Sequence, residues 1–457
     1  MINPLYLPEL REMLAENDAD DLREFCTALH PARTAEFMEG LDPESAWRVL
    51  TFADMPQRVE IFSYFEESMQ LSILETADRR AIGQLIAHLP PDDRVDLLNK
   101  VDPRIVDELF PLIPLKARRD ILRLSSYPEG TAGALMTTGF ARLDENLSVA
   151  AALGEIGRQA ERLETIYYVY IVDEGGHLRG LVSARQLVSN LGHPEMKIGE
   201  LMETELVAVN VTDDQEKVAE KVAHFDLLAI PVVDHEHHLL GIITHDDIID
   251  VMREEATEDA LRLSAVDPLE ASYLNTHWFT ITWKRGIWLI ILFFAAMITA
   301  YSLRSFEDAL QQVSWLVLFI PLVISSGGNS GSQSATLVIT AMTSGDVKLR
   351  DWARVVKREL ITGLCLGAFL GLLGYGIAYL LTPDPFSALV IPVTITLVVI
   401  CGTLCGSILP MLFRRLGLDP ALMSNPFVAG LIDIAGIIIY MQVSMLMLQE
   451  LRESTGN

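Results

Sequence analysis

NPFVAGLIDIAGIIIYM, residues 425–441, starts with Asn-Pro and then runs apolar, interrupted by one acid, Asp433. Continued to residue 448, the run exceeds the roughly 20 residues a helix needs to cross a bilayer. Proline at its second position suits a helix start, where a missing N–H loses no bond. Asp433 then lies about 10 Å into the helix at 1.5 Å per residue. A carboxylate at that depth costs on the order of 3 kcal/mol unless hydrated or paired, and usually marks an ion pathway. Asp433 reads as the only acid well inside any apolar run, and no basic residue lies at matching depth. The competing reading is an Asp that only fastens helices together. Asn425 either caps the helix or lines the pathway.

Four more apolar stretches lie upstream, at 284–303, 313–342, 358–381 and 388–413, so five spans are expected. The second contains Pro321 and the polar run SSGGNSGSQS, which predicts a helix broken or opened where it lines a cavity. Gly363, Gly367 and Gly371, and again Gly402 and Gly406, recur every four residues, which puts small residues on one face for close packing. Nine Lys and Arg flank one side of the spans and two, Arg304 and Arg452, the other. That asymmetry predicts a cytoplasmic N-terminus and an outside C-terminus. No cleaved signal peptide is expected, and the four cysteines form no disulfide framework.

The rest of the chain is its opposite. Residues 1–270 carry 24 Lys+Arg against 52 Asp+Glu, and residues 271–457 carry 11 against 10. This split reconciles a net charge of −27 with a mean hydropathy of +0.29. The acid excess argues against nucleic acid as a ligand and fits either solubility or cation binding.

Residues 30–124 repeat with a period near twelve: HPARTAEFMEGL, DPESAWRVLTFA, DMPQRVEIFSYF and four further blocks to residue 113. Each opens with helix-starting residues and closes apolar, which predicts stacked short helices in a superhelix. Residues 135–253 hold a longer repeat. Leu135-Met136 recurs as Leu201-Met202, YIVD (170–173) as PVVD (231–234), and GLVS (180–183) as GIIT (241–244). Strand, turn, strand ending in G-h-h-[ST] and then a helix resembles a tandem pair of CBS domains. Such pairs often bind adenosine nucleotides through an Asp on the last helix. Asp247 follows Thr244 in that way, whereas the first repeat has Gln186 after Ser183. HEHH at 235–238 falls on a hairpin turn and reads as a solvated turn rather than a metal site.

The densest acid run, HDDIIDVMREEATEDA at 245–260, puts Asp246, Asp247, Asp250, Glu254, Glu255, Glu258 and Asp259 around a helix, with only weak relief from Arg253. Like charges four residues apart oppose helix formation. Cations bridging these acids to Asp92, Asp93 and Asp96 would remove that cost, and hard cations favour oxygen ligands.

At this point the chain resembles the MgtE magnesium channels, on GGNSGSQSAT at 327–336, RRLGLDPALMSNPFVAGLID at 414–433 and DDIIDVMREEATED at 246–259. One departure is Ser332, where the family pattern carries Asn. The resemblance implies a multidomain fold: an all-α superhelical N-domain (1–130), an α/β tandem CBS pair (131–200 and 201–256), a linking or plug helix (257–278, its core at 262–277) and a five-helix transmembrane domain (279–457). It also implies a homodimer in the bacterial inner membrane, with a Mg²⁺-selective pore on its axis and no enzymatic activity. The pore would use Asp433 and the Ala429 carbonyl, with Gly328, Asn329 and Asn425 lining it. Regulatory Mg²⁺ would bind Asp247, Asp250, Glu255, Glu258, Asp259 and Asp419, with Asp92 and Asp96 from the superhelix. High internal Mg²⁺ would then close its own entry route. A cation-coupled exchanger, a broader Mn²⁺ or Co²⁺ transporter, and a membrane-anchored nucleotide sensor remain the alternatives.

Overall fold

The computed structural model describes residues 7–160, 163–269, 273–274 and 276–451. The chain forms two compact units, divided in sequence between Arg253 and Glu254.

The first unit opens with ten short helices: α1 (Leu7–Glu16), α2 (Ala19–Ala28), α3 (Pro31–Met38), α4 (Pro43–Leu50), α5 (Met55–Ser63), α6 (Glu67–Thr76), α7 (Arg79–His88), α8 (Pro91–Lys100), α9 (Pro103–Leu109) and α10 (Leu115–Leu124). Each twelve-residue block gives one helix, α3 to α9. The carboxylates of Asp42, Asp54, Asp78 and Asp102 accept backbone N–H bonds from the first turns of α4, α5, α7 and α9. Such a cap contributes about 1 kcal/mol. The closing residues Leu41, Ala53, Phe65, Leu89, Val101 and Ile113 are buried. Along most of the series a helix packs on the second one after it, so the stack winds as a superhelix.

The CBS repeats follow. The first comprises α11 (Ala132–Leu135), β1 (Phe140–Asp144), α12 (Val149–Gln159), β2 (Thr165–Val172), β3 (Leu178–Ser183) and α13 (Ala184–Ser189). The second comprises β4 (Val209–Asn210), α14 (Gln215–His224), β5 (Ala229–Val233), β6 (Leu239–Thr244) and α15 (His245–Leu263). Each sheet has three strands in sequence order, the first pair parallel and the second antiparallel. The repeats exchange their leading segments. Thr137 pairs with Ile242 in the second sheet, and Glu203 pairs with Leu181 in the first. This explains the G-h-h-[ST] glycines. A Cβ on Gly241 would lie 2.7 Å from the Thr137 carbonyl oxygen, and one on Gly180 2.8 Å from that of Glu203. The superhelix and the second repeat share one hydrophobic core, and the first repeat has its own.

The second unit holds α16 (Trp278–Arg304), α17 (Glu307–Gln312), α18 (Leu316–Thr343), α19 (Trp352–Leu381), α20 (Val390–Arg415) and α21 (Asn425–Met447). α16, α19, α20 and α21 are long and apolar enough to cross a membrane. α18, at 28 residues, is long enough but carries the polar run. The expected break in it does not occur: the helix is continuous through Pro321 and the glycines. The glycines instead form a packing seam. A Cβ on Gly402 of α20 would lie 2.6 Å from the Gly327 carbonyl oxygen, and one on Gly406 would collide with the Gly331 carbonyl. Gly367 and Gly371 of α19 likewise approach the α20 backbone at Thr396 and Pro392. Small residues let these backbones touch.

The separate linking helix also differs from expectation. Helical structure ends at Leu263. Ala265 turns the chain with φ +56°, and Val266 N–H bonds back to the Leu261 carbonyl at 3.0 Å, a left-handed helix stop. Pro268 follows and cannot continue a helix. Residues 264–269 are non-helical, and residues 270–272 and 275 of the expected plug lie outside the described ones.

Candidate functional site

In the membrane unit, α21 presents Asp433 to α18. A Cβ on Gly328 would lie 3.4 Å from both Asp433 Oδ1 and Ala429 Cβ, so the absent side chain leaves room for the carboxylate. Asp433 is half-buried, and among the described residues it has no ion-pair or hydrogen-bond partner. Ser325, Asn329 and Gln333 of α18, spaced four apart, are all exposed on this chain, with Asn329 Nδ2 donating to Ser325 Oγ at 3.2 Å. A polar stripe within a membrane-spanning bundle requires water or another chain beside it. Asn425 is fastened to the same helix: its side-chain oxygen accepts from Thr336 Oγ1 (3.1 Å) and its carbonyl from Ser332 Oγ (3.1 Å). Ser332 thus joins α18 to the start of α21.

A second acid lies near the start of an apolar helix. Glu359, in the second turn of α19, accepts from Ser334 Oγ at 2.6 Å, and Ser334 is buried on α18. Its place at the edge of an apolar run concealed it in the sequence.

In the first unit, acids gather around the starts of α8 and α15. Asp92 is 7% exposed, and its Oδ1 has no hydrogen-bond partner. Burial first, then the charges of Asp247, Asp93 and Glu164, raise its carboxyl well above the usual range. Asp93 is raised to about 6 by burial, then by Asp247, Asp96 and Asp246. Asp247 reaches about 6 by burial, despite the lowering hydrogen bond from Thr244 Oγ1 (2.6 Å). Glu164 reaches about 7 by burial and then Asp93, Asp247 and Asp246. Asp93 and Glu164 keep exposed surface, so removal of water by packed neighbours, rather than enclosure, drives their shifts. Asp250 is exposed and faces Arg253 at 3.6 Å. Of these acids only Glu164 was missed in the sequence. Glu164 sits far from the acid run in sequence, and only the fold brings it in.

In the second unit, Arg262 ion-pairs with both Glu258 and Asp419. Burial, then the charges of Asp419 and Glu255, raise the Asp259 carboxyl above its usual range. Asp419 Oδ1 also accepts from Ala421 N–H at 2.8 Å. Arg262, four residues after Glu258, was not counted as charge relief in the sequence.

Among the described residues no three His, Cys, Asp or Glu side chains converge on one point as direct metal ligands. The oxygen-only donor set and the orphaned, buried Asp92 Oδ1 suit a hydrated Mg²⁺ held through its waters. At the CBS pair, Thr244 and Asp247 form a helix-start bond, and Ser183 with Gln186 forms the matching capping box, so the Asp-to-Gln difference leaves both caps intact. HEHH is a hairpin turn, as expected. There His238 stacks on His177 (centroids 4.3 Å apart), and their Nδ1 atoms bond to Asp234 and Asp173.

These features define a class: a multi-pass membrane protein whose spanning helices carry a helical superhelix and a CBS pair. Comparisons identify it further. The chain matches the family model "Divalent cation transporter" (MgtE) over residues 320–443, the MgtE intracellular N domain over 29–130, and CBS domains over 132–193 and 198–254. It is 38% identical to the magnesium transporter MgtE of Thermus thermophilus, covering 96% of this chain and 98% of that protein. It is 33% identical to the MgtE of Enterococcus faecalis, over 96% of both chains. A crystal structure of the soluble part of a magnesium transporter matches 55% of this chain and 97% of its own (33% identity, TM-score 0.52). The cytosolic domain of the Mg²⁺ channel MgtE in complex with ATP matches 53% and 98% (34% identity, TM-score 0.50). The chain belongs to the MgtE family of magnesium transporters, and like that family it is not an enzyme.

Proposed function

We propose that this protein is a Mg²⁺ channel in the bacterial inner membrane, working as a homodimer and closed by internal Mg²⁺. The observation that supports conduction most directly is Asp433, unpaired beside Gly328 and next to the polar stripe of α18. Across a two-fold axis, the commonest oligomeric symmetry, two such faces enclose a polar path. Mg²⁺ keeps its waters, so the two Asp433 carboxylates and backbone carbonyls, Ala429 among them, receive it as a hydrated ion. Gly328, Asn329 and Asn425 line that path. The termini lie as the flanking charges direct, N-terminus inside and C-terminus outside.

For closure, the crowded acids Asp92, Asp96, Asp247 and Asp250, and separately Glu255, Glu258, Asp259 and Asp419, repel when bare. Mg²⁺ favours whichever arrangement brings them together, and shifts the equilibrium by its differential affinity for that state. Flux into proteoliposomes, wild type against Asp433→Asn, tests the pore. Equal Mg²⁺ flux in both would remove Asp433 from the path. A second reading has one specific support: a relative's cytosolic domain is crystallised with ATP, so the CBS pair here is proposed to take an adenosine nucleotide as a modulator.

A further inference from the structure

Helix α15 is dominated by acids, yet its last turn carries a cation shared by one of them and by an acid outside the helix. Arg262 Nη2 pairs with Glu258 on the same helix, and Nη1 pairs with Asp419 at the turn between α20 and α21. The three side chains are only 33%, 33% and 32% exposed. Both ends of the bridge are fixed. Asp419 holds the Ala421 N–H with its other oxygen. Leu263, beside Arg262, packs against the core of the membrane helices, and Asp267 accepts from Trp288 Nε1 at 3.0 Å. A positive charge at a helix C-terminus is also favoured by the backbone dipoles. The neighbouring Asp259 has no hydrogen-bond or ion-pair partner among the described residues and lies in the field of Asp419, Glu255 and Glu258, which Arg262 offsets.

A guanidinium keeps its proton at any physiological pH and offers a planar fork of donors that holds two carboxylates at once. Mg²⁺ with its water shell would address the same oxygens with twice the charge at one point. The two cations cannot both hold Glu258 and Asp419. We propose that Arg262 is a resident counter-cation that competes with Mg²⁺ for Glu258 and Asp419 and so sets the internal Mg²⁺ concentration at which transport closes. This rests on the reading above that these acids sense Mg²⁺. Arg262 is then the residue that keeps the site from saturating at low Mg²⁺.

The test uses the full chain in proteoliposomes with two readouts against internal Mg²⁺: flux, and protection of the 261–274 segment from chymotrypsin. Arg262→Gln is expected to lower the half-closing and half-protecting concentrations about threefold to tenfold, the range for removing one competing cation from a site about one-third exposed. Arg262→Lys keeps the charge but not the fork, and falls between. Glu258→Gln added to Arg262→Gln moves both midpoints back up. Midpoints unchanged or raised in Arg262→Gln, or flux raised with no internal Mg²⁺, would make Arg262 a latch or a bystander and overturn the proposal. If Mg²⁺ neither closes nor protects the wild type, the sensing reading falls and takes this one with it. A shift confined to the variants isolates Arg262.

Discussion

Asp433 and Asp92 are both acids held out of bulk water, but their neighbours differ. Asp433 stands alone beside a glycine and a stripe of neutral polar side chains. Asp92 is buried among other acids, with one oxygen unpartnered. A lone carboxylate can pass an ion on, because nothing nearby holds the ion tightly. A crowd of carboxylates binds cations cooperatively, because each bound charge relieves several repulsions. On the proposed function this contrast would separate conduction from sensing within one chain, and substitutions on either side can break it.

The largest effect is expected at the lone acid. Asp433→Asn should reduce Mg²⁺ flux about 100-fold or more, since no ion-pair partner of Asp433 among the described residues compensates the lost charge. Closure by internal Mg²⁺, measured by protease protection of the cytosolic side, should be unchanged. Loss of protection in Asp433→Asn would show that the two regions are not separable.

The converse substitution attacks the crowd. Asp247→Asn, Asp250→Asn and Glu255→Gln together should leave conduction at low internal Mg²⁺ intact and raise the half-closing Mg²⁺ concentration about tenfold. An unchanged half-closing concentration would mean that these acids only provide solubility.

A third prediction concerns the seam that holds α18 in place. Gly402→Ala puts a methyl 2.6 Å from the Gly327 carbonyl oxygen, which backbone must absorb. A cost of about 1–3 kcal/mol is expected, as for overpacking elsewhere. Thermal unfolding in detergent should show it, whereas Gly376→Ala, with open space around it, should cause no loss.

Much of this was legible in the residues. The twelve-residue period placed α3 to α9, because a Pro or Asp start and an apolar close are local signals. The CBS repeat was legible for the same reason, although the exchange of the Met136 and Met202 segments between repeats was not. Glycines in the polar run were misread as an opening. Sequence shows that a helix lacks side chains there, but not whether water or another backbone fills the space. Arg262 and Glu164 escaped because their partners, Asp419 and Asp93, are distant in the chain. The linking helix was extended too far because Ala265 gives no sign in sequence of its positive φ.

The smallest effect is a pH dependence carried by the crowd alone. Asp93 and Asp247 titrate near 6 and Glu164 near 7 in the folded chain, above the usual 3.9 and 4.3 for an unfolded Asp and Glu. The folded state therefore binds more protons than the unfolded one between about pH 4 and pH 7. Stability falls as pH rises when the folded state holds the extra protons. Without Mg²⁺, the cytosolic unfolding transition should drop by a few degrees between pH 5.5 and pH 8. Mg²⁺ should restore it more at pH 8 than at pH 5.5, because only ionised carboxylates attract the cation. Asp92→Asn should flatten the Mg²⁺-free slope by removing the most buried member. A slope that survives Asp92→Asn unchanged, or that runs the other way, would mean that the acids at α8 and α15 do not share a field, and the contrast with Asp433 would lose its physical basis.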